Sequence, residues 1–88
     1  YGEVKKALAN EYNEEEKLNL AKVVLKNKWF YSAQIRELAQ TFYNEERKLR
    51  FLKMAYDFCW DKGNYFTLAD LFYNSGYKKD FITYLGTQ

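Results

Sequence analysis

The chain has 88 residues, with 14 basic against 12 acidic side chains, no histidine, no proline and one cysteine. A single cysteine excludes an intramolecular disulfide, and without histidine nothing resembling a zinc ligand set is present. Charge this evenly balanced gives no electrostatic reason to expect a nucleic-acid or membrane partner, and no apolar run approaches the roughly 18 residues that a membrane span requires. A chain of this length buries roughly 60 to 65% of its unfolded surface, so an ordinary core is feasible. Nine Tyr, seven Phe and two Trp make that core an aromatic one.

Glu3 to Asn10 reads as a short first helix with Val4, Ala7 and Leu8 on one side. Asn13 is a good N-cap, Glu16 completes a capping-box pattern, and Glu14 and Glu15 complement the helix dipole, so a second helix starts there. Its stripe of Leu18, Ala21, Val24 and Leu25 carries it to about Lys26, where Asn27 suits the left-handed conformation that stops a helix. Trp29-Phe30-Tyr31 then forms an aromatic elbow. Ser32 is expected to cap a third helix, with Ile35, Leu38, Ala39 and Phe42 inward, packed on the second as an antiparallel hairpin.

Asn44 caps a fourth helix, read as the longest, running through Trp60. Leu49, Leu52, Ala55, Tyr56 and Cys59 form its main face, with Phe51, Met54 and Phe58 spread toward the other side. An apolar arc of roughly 200° marks a helix covered on more than one face. Lys53 with Asp57 and Glu46 with Arg50 stand at i,i+4 and should pair along the helix. Gly63 reads as its left-handed stop, and Thr67 with Asp70 as the cap of a fifth helix to about Tyr73. Asn74-Ser75-Gly76 breaks the chain again. Tyr77 to Leu85 completes the set, with Tyr77, Phe81, Tyr84 and Leu85 inward.

The chain also repeats itself. Tyr12-Asn13-Glu14-Glu15-Glu16-Lys17-Leu18 matches the stretch from Tyr43 to Leu49 at six of seven positions, 31 residues on, and Tyr73-Asn74 repeats the opening pair 30 residues further. Asn64-Tyr65-Phe66-Thr67 reads as a second elbow, 35 residues after the first, which would make the fourth helix one turn longer than the second. The expectation is one all-α domain of about six short helices: two related hairpins in tandem (residues 12–42 and 43–73), a helix before them, and a terminal half unit (74–88) that closes the array. Leu18, Leu25, Ile35, Leu38, Phe42, Leu49, Leu52, Tyr56, Cys59, Leu71, Phe72 and Phe81 are the expected core.

Lys17-Leu18 with Ala21-Lys22, Phe30 followed by Gln34-Ile35, Leu38 and Phe42, Lys48-Leu49 with Ala55-Tyr56, Asp61, Asn64-Tyr65, Phe72, and Phe81 with Tyr84-Leu85 form a pattern that resembles the family called domain of unknown function 4476. The resemblance covers nearly the whole chain and rests mostly on core and cap positions. It implies a setting in exported or surface proteins of bacteria, and in an animal protein rich in proline and serine. The family has no assigned catalytic residues, so it implies none here. The third unit departs from the pattern in carrying Ser75-Gly76 where the others have two glutamates.

The inventory of reactive groups is unfavourable to catalysis: no His can act as base, Cys59 falls on an apolar face, and no Gly-rich phosphate loop is present. No cofactor or metal is expected. Asp57 and Asp61 read as a solvated face and Glu14 to Glu16 as capping charge. Arg47, Lys48, Arg50 and Lys53 do not share one surface, which disfavours single-stranded nucleic acid. The preferred reading is a non-enzymatic module that engages a protein or peptide in a groove between units, with Trp29, Tyr31, Tyr65 and Tyr77 as its lining. The alternative is a purely structural end domain or spacer of a longer exported protein, in which the elbow rings are core wedges.

Overall fold

Asparagine starts three of the helices. The computed structural model describes residues 1–88 and places α1 at Gly2–Ala9, α2 at Glu14–Val24, α3 at Ser32–Ala39, α4 at Glu45–Ala55 and α5 at Ser75–Gly86. A sixth helix, of 3-10 type, spans Lys62–Leu71, and a single 3-10 turn covers Tyr56–Phe58. The side-chain oxygen of Asn13 accepts from the Glu16 N–H at 3.0 Å, that of Asn44 from the Arg47 N–H at 3.0 Å, and that of Asn74 from the Gly76 and Tyr77 N–H groups at 2.8 and 3.2 Å. Each bond satisfies an amide that the first turn of a helix leaves without a carbonyl. The six-helix, strand-free architecture read from the sequence is the one formed.

The helices lie in two layers. α2, α4 and α5 follow one another in the first, and α1, α3 and the 3-10 helix in the second, with α1 packed on α2, α3 on α4 and the 3-10 helix on α5. α2 therefore packs on α1 and α4 rather than broadly on α3, the partner expected for it. The tight reversals are at Tyr12-Asn13, Tyr43-Asn44 and Tyr73-Asn74, and framed at these turns the same repeat reads as three successive hairpins. α4 touches α2, α3 and α5, the central position its wide apolar arc predicts. It buries Leu49, Phe51, Leu52 and Ala55.

Several local expectations are corrected. α4 has 11 residues, the same as α2, because the chain leaves it at Ala55. Beyond that point Phe58 gives its carbonyl to the Phe30 N–H (2.9 Å), and the Trp60 N–H goes to the Phe30 carbonyl (2.7 Å). Groups bonded across to the first elbow are not free to continue a helix ladder. The next helix starts at Lys62, which is 30 residues after Ser32, so Asn64–Thr67 lies inside it and is not a second elbow. Gly63 is not left-handed; Asn27, at φ 61°, is the one residue with positive φ.

Ser32 is the first residue of α3 and not its cap. Its N–H and hydroxyl both donate to the Asp61 carboxylate, at 2.6 and 2.8 Å, so the residue just before the 3-10 helix caps α3. Thr67 gives its hydroxyl to the Asn64 carbonyl, and Asp70 pairs with Arg36 instead of closing a capping box. α5 begins at Ser75, earlier than Tyr77, because Asn74 caps it. The cations of α4 reach across to neighbours: Lys53 to Asp80 of α5, and Arg50 with Arg47 to Glu15 of α2.

Of the expected core, Tyr56 and Leu71 are only partly buried, while the rest are enclosed. Phe51, Tyr65 and Leu68 are also enclosed and were not foreseen as core. Lys17 is buried as well, its ammonium 5.1 Å above the Phe42 ring and bonded to the Thr41 carbonyl. Its stem packs while its charged head keeps a strong acceptor.

Candidate functional site

Two aromatic surfaces occupy the two ends of α2 and α4. At the elbow end, Trp29 and Trp60 are in contact with ring centroids 5.2 Å apart and planes inclined at 59°. They keep 59% and 61% of their surface exposed, and Tyr31, two residues along from Trp29, keeps 54%. The paired hydrogen bonds between Phe30 and the Phe58–Trp60 stretch hold the elbow and the segment after α4 in register and so set the Trp pair. Lys62 gives its ammonium to the Cys59 carbonyl at 2.9 Å and lies 5.3 Å from the Trp29 ring and 5.5 Å from that of Tyr56. Cation–π contact of this kind fixes the orientation of the indole without burying it.

Beneath this patch Asp61 and Cys59 are bonded within the fold. Burial opposes ionisation of Asp61, but hydrogen bonds from the Ser32 N–H, the Asn64 amide, the Ser32 hydroxyl and Cys59 outweigh it and hold the carboxyl well below the usual range. Cys59 is enclosed, and burial pushes its thiol up to about 11, so it carries little thiolate at neutral pH. Its Sγ donates to Asp61 at 3.4 Å.

At the turn end stand Tyr12, Tyr43 and Tyr73, exposed to 90%, 87% and 96%. Each precedes a capping Asn, and the backbone beside two of them is clamped by the preceding unit. The Glu14 carboxylate accepts from the Tyr43 and Asn44 N–H groups at 2.8 and 3.1 Å, and Glu45 accepts from those of Tyr73 and Asn74 at 2.8 and 3.0 Å. The bonds from Asn74 and Tyr73 lower the Glu45 carboxyl below its ordinary value. One carboxylate per unit thus bolts each turn to the next by the same geometry.

A polar cleft of about 670 Å³ lies between the first two turns, with Tyr12 and Tyr43 as its aromatic walls and Asn13, Asn44, Glu16 and Arg47 among its lining. Glu14 and Glu15 also line it, already engaged by the Tyr43–Asn44 backbone and by Arg47 with Arg50. A smaller recess of about 200 Å³ sits beside it against Lys17 and Thr41.

The four residues singled out from the sequence do not converge. Trp29 and Tyr31 share the elbow surface, Tyr77 is half-buried against the core on α5, and Tyr65 has no exposed surface. The Tyr65 hydroxyl donates to the Leu52 carbonyl at 2.5 Å and its ring packs on Tyr56 and Phe81, so Tyr65 is a core wedge and is removed from any surface. Trp60, Tyr12, Tyr43 and Tyr73 were not singled out. The available signal for the tyrosines was the repeat itself, which keeps Tyr three times at a position outside every apolar stripe.

No group of three or more His, Cys, Asp or Glu is placed to hold a metal ion, and no helix is long and apolar enough to cross a membrane. No curated protein and no solved structure matches the chain. Residues 2–85 match the family described as Domain of unknown function (DUF4476). With nearly every residue covered, the chain belongs to that family.

Proposed function

We propose that this domain is a non-enzymatic module that engages a protein or peptide through the elbow surface. The observation that supports this reading is the Trp29–Trp60 pair, two large rings in tilted contact, set by the backbone bridge and Lys62 yet more than half exposed, with Tyr31 two residues along from Trp29. Trp and Tyr dominate binding hot spots because they offer large apolar area at little conformational cost, and rings already fixed in place lose least on binding. Catalysis plays no part in this reading: the one cysteine is enclosed and its proton firmly held, and Asp61 is committed to capping α3. The exported setting implied by the family resemblance belongs to the same proposal.

Selection from a random peptide library displayed on phage tests it. Enriched peptides should bind the wild-type domain and lose about tenfold or more in affinity to Trp60→Ala, a change of about 1.4 kcal/mol. Failure to enrich any sequence, or enriched peptides indifferent to both Trp29→Ala and Trp60→Ala, would leave the structural spacer as the better account.

A further inference from the structure

We infer that the turn end is a second, independent site that binds a neutral polysaccharide along the row Tyr12, Tyr43, Tyr73. The rings contribute almost nothing to the core, since each is at least 87% exposed, yet each directly precedes a capping Asn, and the turns of Tyr43 and Tyr73 are clamped by Glu14 and Glu45. An exposed phenol ring with a negative face is a platform for the polarised C–H face of a sugar.

The groups around the rings match hydroxyls. A hydroxyl both donates and accepts. Asn13, Asn44 and Asn74 have spent their side-chain oxygens on helix caps, so each turns an amide NH₂ outward with no partner inside the protein. Glu16, exposed and unpaired, supplies an acceptor in the same cleft, and Arg47 brings further donors. A proline-rich peptide, rich in acceptors and poor in N–H donors, would leave that carboxylate facing nothing.

Charge narrows the class. Three carboxylates against one guanidinium line the cleft, which disfavours nucleic acid and uronic-acid polymers. Repetition narrows it again: the same ring and amide recur at each turn, 31 and then 30 residues apart in the chain, an arrangement suited to a ligand that also repeats.

Affinity gel electrophoresis of the whole domain tests this, with gels containing a soluble β-glucan, a glucomannan, dextran or polygalacturonate. Retardation is expected in at least one neutral gel and not in polygalacturonate. Tyr43→Ala should weaken the interaction about tenfold or more, on the scale of ring stacking in other ligands, while Tyr43→Phe keeps it. Thermal unfolding of both variants serves as the folding control. Trp60→Ala should leave retardation unchanged, which separates this site from the elbow surface. No retardation in any neutral gel, retardation that survives Tyr12→Ala combined with Tyr43→Ala, or binding at these rings only by an extended peptide overturns the inference.

Discussion

At the elbow end of α2 and α4 the exposed rings are clustered: Trp29 and Trp60 contact each other, Lys62 braces one of them, and a bridge between two backbones sets the pair. At the turn end they are spaced, one tyrosine per unit, each nearly free of its surroundings. The same residue class therefore serves in two ways. Clustered rings make one continuous apolar patch, suited to an irregular partner with a matching pocket, whereas spaced rings alternating with amides and carboxylates suit a polar chain with a period. The difference follows from the backbone. At the elbow the stretches after α2 and after α4 lie side by side and their rings pack on one another, whereas at each turn the ring precedes the capping Asn and stands in solvent.

Substitutions at the two ends should differ sharply, and the largest effect belongs to the wedge beneath the elbow. Tyr65→Ala should lower stability by about 3 to 5 kcal/mol, the range for emptying a fully enclosed aromatic site. Tyr65→Phe should cost about 0.5 to 1.5 kcal/mol for the lost bond to the Leu52 carbonyl. Chemical denaturation reads both, and a Tyr65→Ala midpoint close to wild type would mean that the ring is not a wedge.

Asp61→Ala comes next, at about 0.5 to 2 kcal/mol, the range for loss of an N-cap, because the Ser32 N–H and hydroxyl lose their acceptor together. A change confined to binding, with no shift in unfolding temperature, would contradict this capping role.

Acid should act through the same carboxylates. The carboxyls of Asp61, Glu45, Glu15 and Glu37 are held below their ordinary values in the folded chain. The unfolded chain then binds more protons as pH falls. The stabilisation is complete above the ordinary carboxylate range near 4 and is lost as pH drops through the lower folded-state values. Unfolding temperature should fall between pH 6 and pH 3, and less steeply in Asp61→Asn. A flat profile to pH 3 would show that these bonds add nothing to stability.

Much of this was legible in the residues. Asn13 and Asn44 announced their helices, Asn27 its left-handed stop, and the stripes of α2, α3 and α4 named most of the core. Illegible was whatever depends on contact between units. Asp61 looked like surface charge because its partner, Ser32, is 29 residues earlier. Tyr65 looked like a second elbow because two aromatics before a hydroxyl resemble the first, while the Phe30–Cys59 bridge that sets the true register leaves no local trace. Tyr12, Tyr43 and Tyr73 were visible as a repeat but read as part of a capping motif, since sequence alone does not show whether a ring before a cap folds back or stands clear.

Smaller again is the coupling within the Trp pair. A double-mutant cycle on Trp29→Ala and Trp60→Ala should return about 0.5 to 1.5 kcal/mol, as for other aromatic pairs. Zero coupling would mean that the two indoles are set independently and do not form one surface.

The central claim is that the spaced rings are held by the fold without supporting it. Equilibrium denaturation of the triple variant Tyr12→Ser, Tyr43→Ser, Tyr73→Ser tests it most directly. Each substitution should stay within about 0.5 kcal/mol, as for surface positions away from packed features, and the transition should remain a single cooperative one. A loss comparable to that of Tyr65→Ala would show instead that the tyrosines are part of the core's support.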